Sequence, residues 1–91
     1  MGKYQIIIKP KAELDFLKIE KSGDKSSIRK LETLISELEE HPFSGSGKPE
    51  QLNHNLSSYW SRRINKKERL IYQVIEEPDN LVVIISALGH Y

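Results

Sequence analysis

The segment that decides the fold is residues 58–88, SYWSRRINKKERLIYQVIEEPDNLVVIISAL. It contains three runs rich in β-branched and aromatic residues, at 58–64, 69–75 and 81–88, and these residue types favour strands. The first two runs alternate in polarity, whereas the third is almost continuously apolar and is predicted to lie in the interior of a sheet. Because the turns between the runs are only a few residues long, neighbouring strands must pair antiparallel. The segment therefore predicts a three-stranded antiparallel meander.

The chain before this segment predicts one more strand and two helices. The apolar run at 4–9 predicts a strand that is buried on both faces. Residues 11–22 have helical spacing and follow Pro10, which suits a first helical turn. A second amphipathic helix can begin after a cap at Asp24 and is expected to end at 40–41, before a proline. The element order is therefore β-α-α-β-β-β and the fold class is α+β. An antiparallel-rich sheet packs one face on a two-helix hairpin and leaves the other face partly polar.

The length of the chain limits the classes of protein to which it can belong. Its 91 residues allow one domain, spanning 1–91, and leave no room to enclose a large cofactor. The lack of cysteine excludes disulfide scaffolds, thiol nucleophiles and cysteine zinc sites. The longest apolar stretch is far below the ~20 residues that a membrane span needs, and the N-terminus has no signal-peptide pattern. We therefore expect a cytoplasmic protein that is not bound to a membrane and uses no cofactor.

The net charge of +1 hides a basic block at residues 41–75. This block has six basic and two acidic residues, hence a charge of +4, and acidic segments lie on both sides of it. Such a block is a candidate anion-binding surface. Composition alone also suits a solvated hairpin face without a ligand, and favours that simpler interpretation. The basic residues are Lys48, Arg62, Arg63, Lys66, Lys67 and Arg69.

The residues that could carry chemistry indicate acid–base catalysis without a metal. The three histidines are scattered, and no acidic cluster has metal-ligand spacing. A carboxylate and a histidine can act as base and acid, and an arginine can stabilise a phosphorane-like transition state. RNA supplies its own nucleophile, the 2′-hydroxyl, so such a set on one open sheet face would suffice to cleave it. Each candidate can equally be a solvated side chain, part of a charged rim or part of a frayed terminus. The candidates are Glu50, Arg63, Arg69, His90 and Tyr91.

Several motifs in the second half of the chain resemble the YoeB/Txe family of toxins, which belongs to the RelE-like superfamily of toxin–antitoxin endoribonucleases. The main motifs are GKPE at 47–50, WSRRI at 60–64, RLIY at 69–72 and the final HY at 90–91. Shorter matches are Pro42-Phe43, Leu52 and Asn55-Leu56. The resemblance is carried by residues 42–91, whereas residues 1–41 agree only in length and element order. It implies a small RelE-like fold.

The resemblance implies a ribosome-dependent mRNA endoribonuclease, an mRNA interferase that inhibits translation. Such enzymes cut mRNA in the ribosomal A site by attack of the 2′-hydroxyl, leaving a 2′,3′-cyclic phosphate and a free 5′-hydroxyl. It further implies that Glu50 is the general base and that His90 is the general acid. Arg69 is implied to stabilise the scissile phosphate with support from Arg63, and Tyr91 to orient or stack near the base. The predicted RNA-binding residues are Lys48, Arg62, Arg63, Lys66 and Lys67.

The implied partners are a YefM-like antitoxin, the ribosome and mRNA, and the family is also consistent with a homodimer. A disordered acidic segment of the antitoxin would fold across the basic block and cover the site. Two alternatives stay open, because a fold does not determine a function. One is a ParE-like gyrase inhibitor, and the other is a non-catalytic RNA-binding regulatory module of the same fold.

Overall fold

Two helices and five strands make up the part of the chain that the computed structural model describes, residues 3–52 and 59–89, with only the backbone of Gly89. In chain order they are β1 (Gln5–Ile8), α1 (Pro10–Ser22), α2 (Lys25–Leu38), β2 (Glu50–Gln51), β3 (Tyr59–Arg63), β4 (Arg69–Ile75) and β5 (Leu81–Gly89). The α+β class and the predicted order of elements are confirmed. The two-residue β2 is an additional strand, which is too short to show a periodic pattern in the sequence.

The strands form one mixed sheet in the order β1-β5-β4-β3-β2. β3, β4 and β5 pair antiparallel, so the predicted meander is confirmed. β1 pairs parallel with β5, which therefore has a neighbour on each side and is an interior strand, as predicted. β2 pairs antiparallel with β3 at the opposite edge.

The prediction that the first strand is buried on both faces is wrong. Ile6 and Ile8 pack against the core, but Gln5 and Ile7 are exposed. The reason is that β1 lies at the edge of the sheet, and the helices cover only the face to which Ile6 and Ile8 point. Three consecutive isoleucines therefore alternate between core and surface, as side chains along a strand must.

Both helices begin and end at residues with recognisable capping chemistry. Pro10 occupies the first turn of α1, and Gly23 ends that helix with a left-handed φ of 77°. Asp24 caps α2 as predicted, because its carboxylate accepts hydrogen bonds from the backbone N–H and the hydroxyl of Ser27. α2 ends at Leu38, slightly earlier than expected. Neither of these helices, nor any other helix of the described residues, is long and apolar enough to cross a membrane.

The hydrophobic core lies between the two helices and one face of the sheet, as predicted. Its fully or nearly buried members are Ala12, Ile19, Leu31, Leu34 and Leu38 from the helices, Leu70, Tyr72, Val82, Ile84 and Ala87 from the sheet, and Ile64, which directly follows β3. The other face, which we call the outer face, is partly polar. Ile71 and Val83 lie on it and are nevertheless buried, so the outer face is only partly open.

β5 contains more residues than the stretch of β4 that it pairs with. Tyr72 pairs with Ile84, whereas Arg69 pairs with Gly89, so three steps along β4 correspond to five along β5. The pairing therefore contains bulges, which change the direction in which later side chains point. As a result, Gly89 lies directly beside Arg69.

Candidate active site

Sheet register brings three of the predicted catalytic and RNA-binding residues onto the outer face. Glu50 on β2 pairs with Ser61 on β3, and Arg63 on β3 pairs with Arg69 on β4. Side chains directly opposite one another share a face, as do side chains two positions apart on one strand. Glu50, Ser61, Arg63 and Arg69 therefore lie on the same face, although they come from three strands.

Strand spacing sets the separations on this face. Directly paired residues on neighbouring strands have Cβ atoms about 5 Å apart, as for Arg63 and Arg69, and diagonal neighbours such as Glu50 and Arg63 are about 7–8 Å apart. Two strand spacings and two residue steps place the Cα atoms of Glu50 and Arg69 about 12 Å apart. Long side chains can span this gap, so one phosphate group between them could contact all three residues.

Arg63 and Arg69 form a positively charged pair, and no acid of the described residues forms an ion pair with either one. Like charges directly opposite each other on a sheet destabilise it. Among residues 3–52 and 59–89, the ion pairs are Lys11–Asp15 and Arg62–Glu37, and neither Arg63 nor Arg69 takes part in one. Two adjacent guanidinium groups of this kind are suited to binding a phosphate, because each can donate two parallel hydrogen bonds to its oxygens.

The predicted general acid His90 and the predicted orienting residue Tyr91 lie outside the described residues. The strand that leads to them is described, and its last residue, Gly89, pairs with Arg69. The last described residue of the strand therefore lies next to Arg69.

The prediction that Arg62 binds RNA is wrong, because this residue is fully buried. Its side chain points to the helix-covered face, opposite to that of Arg63. The guanidinium group donates to Glu37 Oε1 at 2.9 Å, to Tyr72 Oη at 3.1 Å and to the carbonyl oxygens of Ser44 and His41. With a further contact to the carbonyl oxygen of Ser46, the five N–H groups of Arg62 all face acceptors inside the protein, so none is available to RNA.

Arg62 organises the segment between α2 and β2, residues 39–49, which we call the α2–β2 loop. Besides Ser44 and His41, its guanidinium lies 3.5 Å from the carbonyl oxygen of Ser46. Tyr72 Oη, which accepts from Arg62, donates in turn to the carbonyl oxygen of Pro42 at 2.7 Å. A single buried cation therefore satisfies carbonyl groups along most of this loop.

Glu37 completes the network from α2. Its two carboxylate oxygens accept hydrogen bonds from the backbone N–H and the hydroxyl of Ser46, at 2.8 and 2.7 Å. Burial by itself would raise the pKa of Glu37, but the hydrogen bonds from Ser46 and the charge of Arg62 outweigh burial and lower the pKa below its ordinary value. Glu37 is therefore ionised at neutral pH and neutralises Arg62.

The end of the α2–β2 loop is held against β3, and this placement positions Lys48 and Glu50. The backbone N–H of Arg63 donates to the carbonyl oxygen of Gly47 at 2.7 Å. Gly47 has a φ of 80°, and a Cβ there would lie 2.9 Å from the carbonyl oxygen of Arg63. Only glycine fits this close approach without strain. Lys48, which follows with a φ of 52°, is turned outwards and is exposed.

A basic cleft of about 330 Å³ adjoins the outer face. It contains three of the predicted RNA-binding residues, Lys48, Arg63 and Lys66, and its lining includes no acid from the part of the chain that the structure describes. It also contains Lys30 of α2, which no sequence motif indicated, whereas the exposed Lys67 lies outside its lining. The residues that line it are Lys30, Gly47, Lys48, Arg63, Ile64, Asn65 and Lys66. Within the described ranges, 3–52 and 59–89, no group of three histidine or acidic residues could hold a metal ion.

Comparisons with known proteins place the chain among bacterial toxins. A sequence model described as a YoeB-like toxin of bacterial type II toxin–antitoxin systems matches residues 9–91, so the match extends well before the motifs at 42–91. A protein named Toxin YoeB from Escherichia coli strain K12 is 44% identical over 68 residues, which cover 75% of this chain and 77% of that protein.

Solved structures of Staphylococcus aureus proteins share the fold over nearly the whole chain. One is a YoeB dimer, with a TM-score of 0.81 and 36% identity, covering 99% of this chain and 100% of that one. Another is a heterotetrameric YoeB–YefM toxin–antitoxin complex, with a TM-score of 0.76 and 35% identity, again covering 99% and 100% of the two chains.

Proposed function

Because the chain belongs to the YoeB family of type II toxin–antitoxin toxins, we propose that it is a metal-independent endoribonuclease that cleaves mRNA in the ribosomal A site. The observation that carries the proposal is the register of the sheet. It places Glu50, Arg63 and Arg69 on one face, beside the strand end that continues into His90. A base, a phosphate-binding pair and an acid can thus surround one phosphodiester.

The reaction needs only groups of this chain and of the RNA. The carboxylate of Glu50 takes the proton of the 2′-hydroxyl, and the freed oxygen attacks the adjacent phosphorus. Arg69 and Arg63 stabilise the negative charge that develops on the phosphoryl oxygens. The bond from phosphorus to the 5′-oxygen breaks, and His90 donates a proton to that oxygen. The products are a 2′,3′-cyclic phosphate and a 5′-hydroxyl, and Tyr91 orients the reacting groups.

The basic cleft extends the same surface and would bind backbone phosphates next to the cleaved one. Lys30, Lys48 and Lys66 line the cleft together with Arg63, and none of its described lining residues is acidic. Contacts of lysine and arginine with phosphate release counterions, so binding should weaken as salt is added. Lys67 adds charge at the edge of this surface, whereas Arg62 contributes by holding the α2–β2 loop.

The partners that fit this surface are mRNA on the ribosome and an acidic antitoxin. The Staphylococcus aureus relative forms a complex with YefM, and another of its structures is a dimer. We propose that this chain likewise binds a YefM-like antitoxin and can form a homodimer. A segment of the antitoxin with acidic residues would neutralise Arg63, Arg69 and the basic cleft, and so prevent RNA from binding.

Primer extension on mRNA that is being translated tests the activity. The wild type should produce cuts within A-site codons. Glu50→Gln and His90→Gln should each lower the cleavage rate by about 10²–10⁴-fold, the usual contribution of a general base or acid. Arg69→Met should also lower it. Glu77→Gln and Arg29→Met change exposed residues of the same types outside the site and should cleave like the wild type.

Three results would contradict the proposal, and the first two are as follows. One is cleavage at the wild-type rate by all three site variants. The other is a wild type that leaves translated mRNA intact but inhibits DNA supercoiling by gyrase, which would favour the ParE-like alternative. Intact RNA binding without cleavage would favour a non-catalytic module.

A further inference from the structure

Asp15 is a buried carboxylate in the middle of α1 that the proposed reaction does not use. It is only 2% exposed. Its Oδ2 atom accepts hydrogen bonds from the backbone N–H groups of Ala87 and Leu88 on β5, at 3.0 and 3.3 Å. The same oxygen accepts a hydrogen bond from Nζ of Lys11 at 2.6 Å, and the Lys11 side chain is mostly exposed. Asp15 therefore connects α1 to the C-terminal end of β5.

The pairing of β5 explains why its N–H groups need this partner. β1 ends at Ile8, which pairs with Ile84, and no strand of residues 3–52 and 59–89 pairs with β5 on that side beyond Ile84. The bulges on the other side mean that residues 85–88 cannot all pair with β4. Ala87 is fully buried, and a buried N–H group without an acceptor is strongly disfavoured. Asp15 supplies the acceptor that the missing strand would otherwise provide.

The hydrogen bonds keep Asp15 ionised in spite of its burial. Burial alone would raise its pKa, but the Lys11 ammonium and the N–H groups of Ala87 and Leu88 outweigh burial and lower the pKa below its ordinary value. A full negative charge thus faces the strand end at neutral pH. Hydrogen bonds to a charged acceptor are shorter and stronger than those between neutral groups.

We propose that Asp15 is a positioning residue, which holds the bulged end of β5 next to Arg69, and that His90 and Tyr91 depend on this anchor to act on the phosphate. Leu88, whose N–H is held, comes two residues before His90, and Gly89 pairs with Arg69. The catalytic part of this inference rests on the proposed endoribonuclease activity. The structural part, that Asp15 fixes the end of β5, can be measured independently.

Two variants of Asp15 and one matched control test the inference. Asp15→Ala removes the acceptor, and Asp15→Asn keeps its shape and one acceptor oxygen without the charge. Lys11→Met removes the exposed partner and leaves the carboxylate in place. Asp15→Ala should lower the cleavage rate by up to about 100-fold, because a misplacement of about 1 Å in a catalytic group can cost that much. The cleavage rate of Asp15→Asn should lie between those of Asp15→Ala and the wild type. The cleavage rate of Lys11→Met should stay within a factor of about 2–3 of the wild-type rate.

Three further readouts distinguish positioning from a general loss of structure. RNA affinity, measured with a non-cleavable 2′-deoxy oligonucleotide, should stay within about twofold of the wild type, because the residues that bind phosphate are unchanged. Amide hydrogen exchange at Ala87 and Leu88 should accelerate at least about tenfold in Asp15→Ala, while exchange in β3 stays unchanged. The NMR signals of the His90 imidazole should shift in Asp15→Ala and not in Lys11→Met.

The outcomes separate this inference from the proposed function. If a folded Asp15→Ala or Asp15→Asn variant cleaves like the wild type and its Leu88 amide stays protected, the inference is refuted. If the wild type does not cleave RNA, the proposed function fails, and the exchange and imidazole signals still decide whether Asp15 orients the end of the chain. If Asp15→Ala does not fold, the same measurements on Asp15→Asn decide.

Discussion

Replacing Arg62 by methionine tests the buried network that holds the α2–β2 loop. Methionine has a similar length but cannot donate hydrogen bonds, so the carbonyl oxygens of Ser44 and His41 lose their donors and Glu37 loses its counter-charge. Removing one partner of a buried ion pair costs about 3–5 kcal/mol. Glu37 keeps two hydrogen bonds from Ser46 and its side chain is 27% exposed, so we expect the lower end of this range, about 3 kcal/mol.

Such a loss is large for a chain of this size. In a domain of 60–100 residues, 1 kcal/mol corresponds to about 4–8 °C in Tm, so Arg62→Met should melt roughly 12–24 °C below the wild type. Urea denaturation followed by far-UV circular dichroism measures the free-energy difference directly. Amide exchange at Ser46 measures whether the loop has been released.

The neighbouring arginine provides a matched control. Arg63→Met removes the same charge one residue away, but from an exposed side chain on the outer face, so it should change stability by less than about 0.5 kcal/mol. It should instead weaken RNA binding and cleavage. The reasoning is refuted if Arg62→Met unfolds within about 1 kcal/mol of the wild type and its Ser46 amide remains as protected as in the wild type.

Three other substitutions test separate parts of the site. Gly47→Ala should cost about 1–2 kcal/mol in urea denaturation, because Gly47 has a left-handed φ and a Cβ would lie 2.9 Å from the carbonyl oxygen of Arg63; wild-type stability would contradict this. The pKa of Glu37 is lowered in the folded protein, so its ionised form stabilises the fold, and this contribution is lost as pH falls below about 4.5. The difference in unfolding free energy between the wild type and Glu37→Gln should therefore become smaller below pH about 4.5 and stay constant at higher pH. Lys30→Gln should reduce the slope of log K against log salt by about 0.7 for single-stranded RNA. Lys25→Gln, outside the basic cleft, should leave this slope unchanged.

Local patterns in the sequence were sufficient for most of the elements. Alternation at 58–64 and 69–75, short turns and an apolar run at 81–88 identified β3, β4 and β5, since strand periodicity and turn chemistry act over a few residues. The alternation also put Arg62 on the same face as Trp60, and that face is the buried one. The signal for its burial was present, but an arginine is so rarely buried that its charge suggested a surface role.

The candidate site was only partly accessible to sequence reasoning. The motif at 47–50 and the arginines of β3 and β4 could be selected from the sequence, because they form compact patterns along the chain. Lys30 could not, since it enters the basic cleft from α2, distant in sequence. Asp15 shares a helix face with the buried Ala12 and Ile19. An acidic residue on an otherwise apolar helix face was the pattern that could have identified Asp15 as a buried carboxylate.

The sequence by itself determined the α+β class, the order of the elements and the toxin family, because all three depend on residue types at short and regular separations. Only the tertiary structure decided which arginine side chain is exposed and which one holds a loop. It also decided that β1 is an edge strand and that α1 provides an acceptor for the end of β5. These outcomes depend on what packs against a residue from elsewhere in the chain. Burial determines whether a charge is available to a ligand or must be satisfied within the fold.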